Sequence, residues 1–162
     1  MSRIVIGIDP GLNCTGVGIV RAWPGKVEHV FHGVLRTDSK RELPERLGVI
    51  CAGLRDIIAE YRPELSAVED VFQSVNIKSA MLLGQTRGAI IATLLSCGMP
   101  VSEYTALQVK KSVVGYGKAD KEQVRHMVEV LLGIKMGKSP LDASDALAVA
   151  VCLGLDITGR RY

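Results

Sequence analysis

Apolar positions follow two periods along this chain, and the change of period separates strands from helices. Near the N-terminus, RIVIGID (3–9), TGVGIVRA (15–22) and KVEHVFHGVLRT (26–37) are rich in β-branched residues and bounded by turn residues, which predicts three strands. Pro24 and Gly25 supply a hairpin turn between the second and third. The short connections predict an antiparallel meander. From 42 to 62 the apolar residues Leu43, Leu47, Ile50, Leu54, Ile57 and Tyr61 recur at three- and four-residue steps, the mark of an amphipathic helix, and Pro63 ends it. LSAVEDVF (65–72) predicts a fourth strand. A long helix apolar on most faces follows over 76–97, closed by Gly98, and VSEY (101–104) predicts a fifth strand. Two helices, 105–114 and 120–132, precede a last one that begins at Ser139-Pro140 and runs through DASDALAVAVCLGL.

Three antiparallel strands followed by helix, strand, helix, strand and helix predict an α/β fold with a mixed five-stranded sheet, three strands antiparallel and then two parallel, and helices on both faces. Residues 1–158 are expected to form one domain, with 159–162 a short tail. The apolarity of the 76–97 helix predicts burial on two sides, one against the sheet and the other against a second copy of the chain. Gly84 and Gly88 within it suit close helix packing.

Composition narrows the class. A chain of 162 residues with 48% hydrophobic and 23% charged residues is globular rather than disordered. The apolar run before Asp9 is too short for a signal peptide, and the stretch 88–101 falls short of a bilayer span, so no membrane association and a cytoplasmic location are expected. Cys14, Cys51, Cys97 and Cys152 have neither zinc-ligand nor disulfide spacing and read as small buried hydrophobes. Net charge is only +3, yet seven Lys or Arg face three acids between Tyr104 and Leu141. With four carboxylates neutralised by metal, the 20 basic and 13 remaining acidic residues leave +7, which favours a phosphate-rich partner.

Four acids carry the candidate chemistry. Asp9 opens an Asp-Pro-Gly turn, a structural role that needs no chemistry, but it also ends an apolar strand. Glu69 ends the fourth strand, where an unpaired buried carboxylate is costly; Asp70 points to the other face and is expected to be the exposed member of the pair. Asp142 and Asp145, at i and i+3, share a helical face. Ser139, Pro140 and Asp142 also fit a capping box, so a structural reading stays open for Asp142. Asp145 has none, since the apolar run after it offers no neutralising group. Four converging acids need a cation, and an all-oxygen donor set without His or Cys suits Mg²⁺ or Mn²⁺. Two such ions about 3.5–4 Å apart assist phosphodiester displacement.

The blocks IGIDPGLNCTGVGIV, VEDVFQSVNIKSAMLLGQTRGAI, QVKKSVVGYGKADKEQV and LDASDALAVAV, in this order from about Arg3 to Leu155, resemble the RuvC family of bacterial Holliday-junction resolvases, within the ribonuclease H-like superfamily. The resemblance implies catalytic and metal-ligand roles for Asp9, Glu69, Asp142 and Asp145, with Lys121 assisting catalysis. It implies DNA contacts for Phe72, stacked near the junction centre, and for Lys110 and Lys121. Lys111, Lys118 and Arg125 cluster with these lysines and are added to the candidate DNA surface, because phosphate binding needs several cations on one face.

The same resemblance implies an endonuclease of homologous recombination and DNA repair that resolves four-way junctions by paired symmetric nicks. Two Mg²⁺ per subunit are implied, with Mn²⁺ able to substitute, as are a homodimer held by the 76–97 helix and the RuvA and RuvB branch-migration proteins as partners. The rival readings are an actin-like kinase or ATPase, which needs two such lobes where 162 residues hold one, an RNA-processing nuclease of the same fold, and a non-catalytic junction-binding module. Residues alone leave Arg87 between an internal ion pair and an interface, leave Tyr116 without a role, and make His126 a surface histidine.

Overall fold

The computed structural model describes residues 1–70 and 76–159. Its strands are β1 (Arg3–Asp9), β2 (Cys14–Trp23), β3 (Lys26–Arg36), β4 (Leu65–Asp70) and β5 (Val101–Thr105). Its helices are α1 (Leu43–Tyr61), α2 (Ile77–Ser96), α3 (Ala106–Val114), α4 (Lys121–Leu132) and α5 (Leu141–Ile157). The strands form one sheet in the order β3-β2-β1-β4-β5. β3, β2 and β1 run antiparallel, while β4 and β5 continue parallel to β1. This is the mixed sheet that the sequence predicts.

Side-chain alternation divides the core into two layers. Ile6 and Ile8 of β1, Val17 and Ile19 of β2 and Val68 of β4 pack with Ile50 and Leu54 of α1 and Ile90 and Leu94 of α2. Val5, Val20 and Ala67 face the other way, onto α3, α4 and α5. Each fully buried Ile or Leu contributes about 1.5–3 kcal/mol. Parity then fixes the acids. Asp9 shares a face with Val5 and Gly7, and Glu69 shares one with Ala67, so both project toward α5. Asp70 shares the face of Val68 and projects toward α2.

α5 lies on the sheet backbone to backbone, which explains its apolar, alanine-rich sequence. A Cβ on Gly7 would come 2.3 Å from the Ala150 nitrogen, one on Gly16 would come 1.9 Å from the Asp142 oxygen, and one on Gly18 would come 2.5 Å from the Leu147 nitrogen. These three glycines of β1 and β2 leave a flat bed for the helix. The closeness at Gly16 brings the first turn of α5 against the strand end beside Asp9, since Gly16 pairs in register with Asp9.

α2 buries one face within the chain and leaves open the face expected to meet a second copy. Thr86, Ile90, Thr93 and Leu94 are buried, whereas Ile77, Met81 and Leu95 are more than half exposed. Gly84 and Gly88 have open space where a side chain would stand, so they serve no helix packing within the chain. Among the described residues no helix is long and apolar enough to cross a membrane.

Candidate active site

The turn and the acid at Asp9 coexist. Asp9 is the last residue of β1, and the loop after it is closed from within: the buried Thr15 hydroxyl donates to the Gly11 carbonyl at 2.7 Å. Thr37 adds a second tie, its hydroxyl donating to the Leu12 carbonyl at 2.6 Å. The Asp9 carboxyl is thereby held in place beside Glu69, with which it shares a hydrogen bond.

Three other acids act on Asp9: Glu69 and Asp145 more strongly than Asp142. Burial, then the charges of Glu69 and Asp145, the hydrogen bond with Glu69 and the charge of Asp142, push the Asp9 carboxyl up to about 9. Burial also raises Glu69, opposed first by the hydrogen bond from Asp9 and then by Lys121 and Lys110, with Asp145 adding to the rise. Desolvation and like charge both disfavour the ionised form. The shifts favour a protonated Asp9 that donates to Glu69, and the ammonium of Lys121 lies with its Nζ 2.7 Å from Asp145 Oδ2. Among the described residues no three acidic, histidine or cysteine side chains stand ready-made around an ion position.

A cleft of about 410 Å³ opens over this point, lined by Asp9, Glu69 and Asp145 with Lys110 and Lys121. Of the sequence-predicted residues, these five meet directly. Asp142 sits behind, on the β2 side, where it accepts a hydrogen bond from the Cys14 thiol. Lys111, Lys118 and Tyr116 are exposed and do not line the cleft. Phe72 lies outside the described residues.

Several expectations change. The capping box at α5 does not form: Pro140 is the N-cap and no side chain caps the helix. Ser139 Oγ instead lies 3.1 Å from His32 Nε2, and His32 Nδ1 lies 2.8 Å from His29 Nε2. Asp142 is thus released from the structural role that its spacing offered. Arg125 does not face the cleft as a free cation. Its guanidinium donates to the carbonyls of Gly137 at 2.6 Å and Ser139 at 3.2 Å, and its side chain is only 15% exposed. The arginine serves the loop that leads into α5.

Arg87 resolves as internal: it pairs with Glu103 and lies 3.6 Å from Asp70. Asp70 is accordingly half-buried rather than exposed. His126 is exposed, as expected. The cysteines are all unpaired, but only Cys152 is buried and Cys97 is exposed.

Sequence reading missed Cys14 and Arg36. Burial, then the hydrogen bond to Asp142 and its charge, push the Cys14 thiol up to about 11, against the lowering influence of Arg36. Cys14 and Arg36 are cross-strand partners at the ends of β2 and β3. A uniform count back from the Pro24-Gly25 turn pairs Cys14 with Leu35; the register shift between Ile19 and Val20 is what brings it opposite Arg36.

Residues 5–153 match the model of the family described as crossover junction endodeoxyribonuclease RuvC. The chain belongs to that family. Relatives bearing the same description include one from Geobacter sulfurreducens, 54% identical over 148 residues, covering 91% of this chain and 90% of the relative. Another, from Azoarcus sp. strain BH72, is 51% identical and covers 91% of this chain and 80% of that protein. Among solved structures, Thermus thermophilus RuvC in complex with a Holliday junction substrate is 34% identical with a TM-score of 0.89, covering 98% of this chain and 97% of that one. The yeast mitochondrial Holliday junction resolvase, 11% identical with a TM-score of 0.70 and covering 98% of this chain and 80% of that one, shares the fold. Membership makes this chain an endodeoxyribonuclease of the crossover-junction class.

Proposed function

We propose that this chain resolves four-way DNA junctions by metal-dependent hydrolysis, nicking two opposed strands symmetrically as a homodimer. The observation that carries the reading is the meeting of Asp9, Glu69 and Asp145 in one cleft, with Asp142 behind them, where burial and the neighbouring acids push the Asp9 carboxyl up to about 9. The donor set fits a hard divalent ion: every donor is a carboxylate oxygen, and the charge now offset by a proton and by Lys121 is what such an ion would offset. Asp9, Glu69, Asp142 and Asp145 would hold Mg²⁺, two ions per subunit, with Mn²⁺ able to substitute. When bound, the ions supply an activated water and charge stabilisation for a displacement at phosphorus.

The chain's own groups do the rest. Lys110 and Lys121 at the cleft attract the phosphate and offset charge that builds on it. The bed of Gly7, Gly16 and Gly18 fixes α5, so Asp142 and Asp145 need no reorganisation on substrate binding. The exposed face of α2, with Ile77, Met81 and Leu95 outward, suits a second copy of the chain, which would set two clefts on one junction. RuvA and RuvB, the branch-migration proteins, would be its partners, and the cytoplasm its location.

The decisive experiment compares a synthetic mobile four-way junction with a linear duplex of the same sequence. Paired nicks confined to the junction and dependent on Mg²⁺ are expected. Equal cutting of the linear duplex would remove the junction reading.

A further inference from the structure

The cleft carries Lys110 and Lys121 on one flank, and a second group of cations stands on the other. The sheet order puts the end of β1, with Asp9, in the middle. α3 and α4 follow β5 on one side; the end of β3 lies on the other. There Arg36, the last residue of β3, acts on the Cys14 thiol that bonds Asp142. It therefore stands at the rim of the acidic cluster. Beyond it lies a depression of about 360 Å³, lined by Arg36, Arg41 and Arg46 with Thr37 and Asp38 among its walls.

The floor of this depression is cross-braced. Arg46 Nε donates to Thr37 Oγ1 at 2.9 Å, and a second nitrogen of Arg46 donates to the Asn13 side chain. The Thr37 amide donates to the Asn13 carbonyl at 3.2 Å. The loop after Asp9, the loop after β3 and the start of α1 are thus one unit. Its two acids are engaged locally: Asp38 accepts from the Lys40 amide at 2.9 Å, and Glu45, also in the lining, forms an exposed ion pair with Arg41 at 3.6 Å, the kind of surface pair that contributes little. Arg41 is 66% exposed and Arg36 is exposed, so both guanidinium groups reach solvent from a rigid base. Each presents a planar fork that suits phosphate oxygens.

We propose that Arg36 and Arg41 grip the DNA phosphodiester backbone on the side of the scissile phosphate opposite Lys110 and Lys121. This rests on the junction-cutting reading above and specifies how that site takes its substrate. A strand crossing the sheet end over Asp9 is then anchored on both sides of the reacting phosphate. Two anchors fix its alignment, where one would leave it free to swing.

The test is binding of a labelled four-way junction to the full chain, with Ca²⁺ in place of Mg²⁺, across a salt series. R36A and R41A are made singly and together, beside R21A. Arg21 lies in β2 toward the hairpin at the far end of the sheet, so R21A removes the same unit charge from outside the proposed path. The double variant is expected to bind at least ~10-fold more weakly, with a log–log salt slope shallower by about 1–2, while R21A matches the wild type. Replacing single phosphates by neutral methylphosphonates on this flank should weaken the wild type and leave the double variant unaffected. Both side chains are exposed, so an unchanged melting curve will verify folding. A double variant with wild-type affinity and slope overturns the inference. A wild-type protein that binds the junction but fails to cut it with Mg²⁺ overturns the junction-cutting reading instead, and the binding data still decide the arginines.

Discussion

Lys121 Nζ lies 2.7 Å from Asp145 Oδ2, joining the first turn of α4 to the second turn of α5. The contact holds the ammonium charged, since the Asp145 hydrogen bond raises its pKa. It also sets a competition, because an ion arriving at Asp145 meets a cation already there.

Lys121→Met therefore separates two roles. Removing the ammonium frees Asp145, so divalent-ion affinity measured by calorimetry should stay equal or tighten. The single-turnover cleavage rate should fall by about 10²–10³, the size expected for one lost stabilising group. An unchanged rate would make Lys121 a counter-ion only.

The Asp9 carboxyl predicts an unusual pH dependence for the metal-free protein. Its folded pKa of about 9 stands above the ordinary 3.8. Between these values the folded state keeps a proton that the unfolded state has released, so stability falls as pH rises through the interval. The slope from this group is at most about 1.4 kcal/mol per pH unit. Melting temperature without metal should drop from pH 5 to pH 9, while the gain on adding Mg²⁺ should grow over the same range. Asp9→Asn should flatten both trends. A metal-free melting temperature that climbs toward pH 9 would contradict the buried proton.

Gly16→Ala tests how α5 is placed. The new methyl would stand 1.9 Å from the Asp142 carbonyl oxygen, a backbone atom that can yield only if the helix start moves. A loss of about 1–3 kcal/mol or more is expected in denaturant unfolding, with cleavage falling further than the unfolded fraction accounts for. Gly48→Ala is the control: it sits in α1 with open space at its Cβ and should stabilise by about 0.5–1 kcal/mol. Normal cleavage by Gly16→Ala would show that the approach at Gly16 does not position the acids.

Asp9 and Glu69 were legible because a period of two needs no tertiary information: both strands run apolar to their ends, and parity puts both acids on one face. Asp145 was legible because nothing nearby in sequence answers its charge. The helix cap at Ser139 misled because its hydroxyl is claimed by His32, 107 residues away. Arg125 misled likewise, for clustering with lysines in sequence says nothing about the carbonyls of Gly137 and Ser139. Cys14 and Arg36 become neighbours only through strand register. The glycine bed emerges only once α5 has chosen a face of the sheet. Local pattern reached the strand ends, and distant hydrogen-bond partners decided the rest.

Arg125 carries its charge to two loop carbonyls rather than to the cleft. If it holds the 137–139 loop, Arg125→Ala loses two charge-assisted hydrogen bonds, to the carbonyls of Gly137 and Ser139, and unfolding free energy should drop by about 1–3 kcal/mol. Arg125→Lys keeps the charge but cannot span two carbonyls with one fork, so it should be destabilised nearly as much. The salt slope of junction binding should match the wild type in both variants, because no phosphate contact is removed. The opposite pattern is equally clear: unchanged melting in both variants, with affinity lost in Ala and restored in Lys, would return Arg125 to the DNA surface.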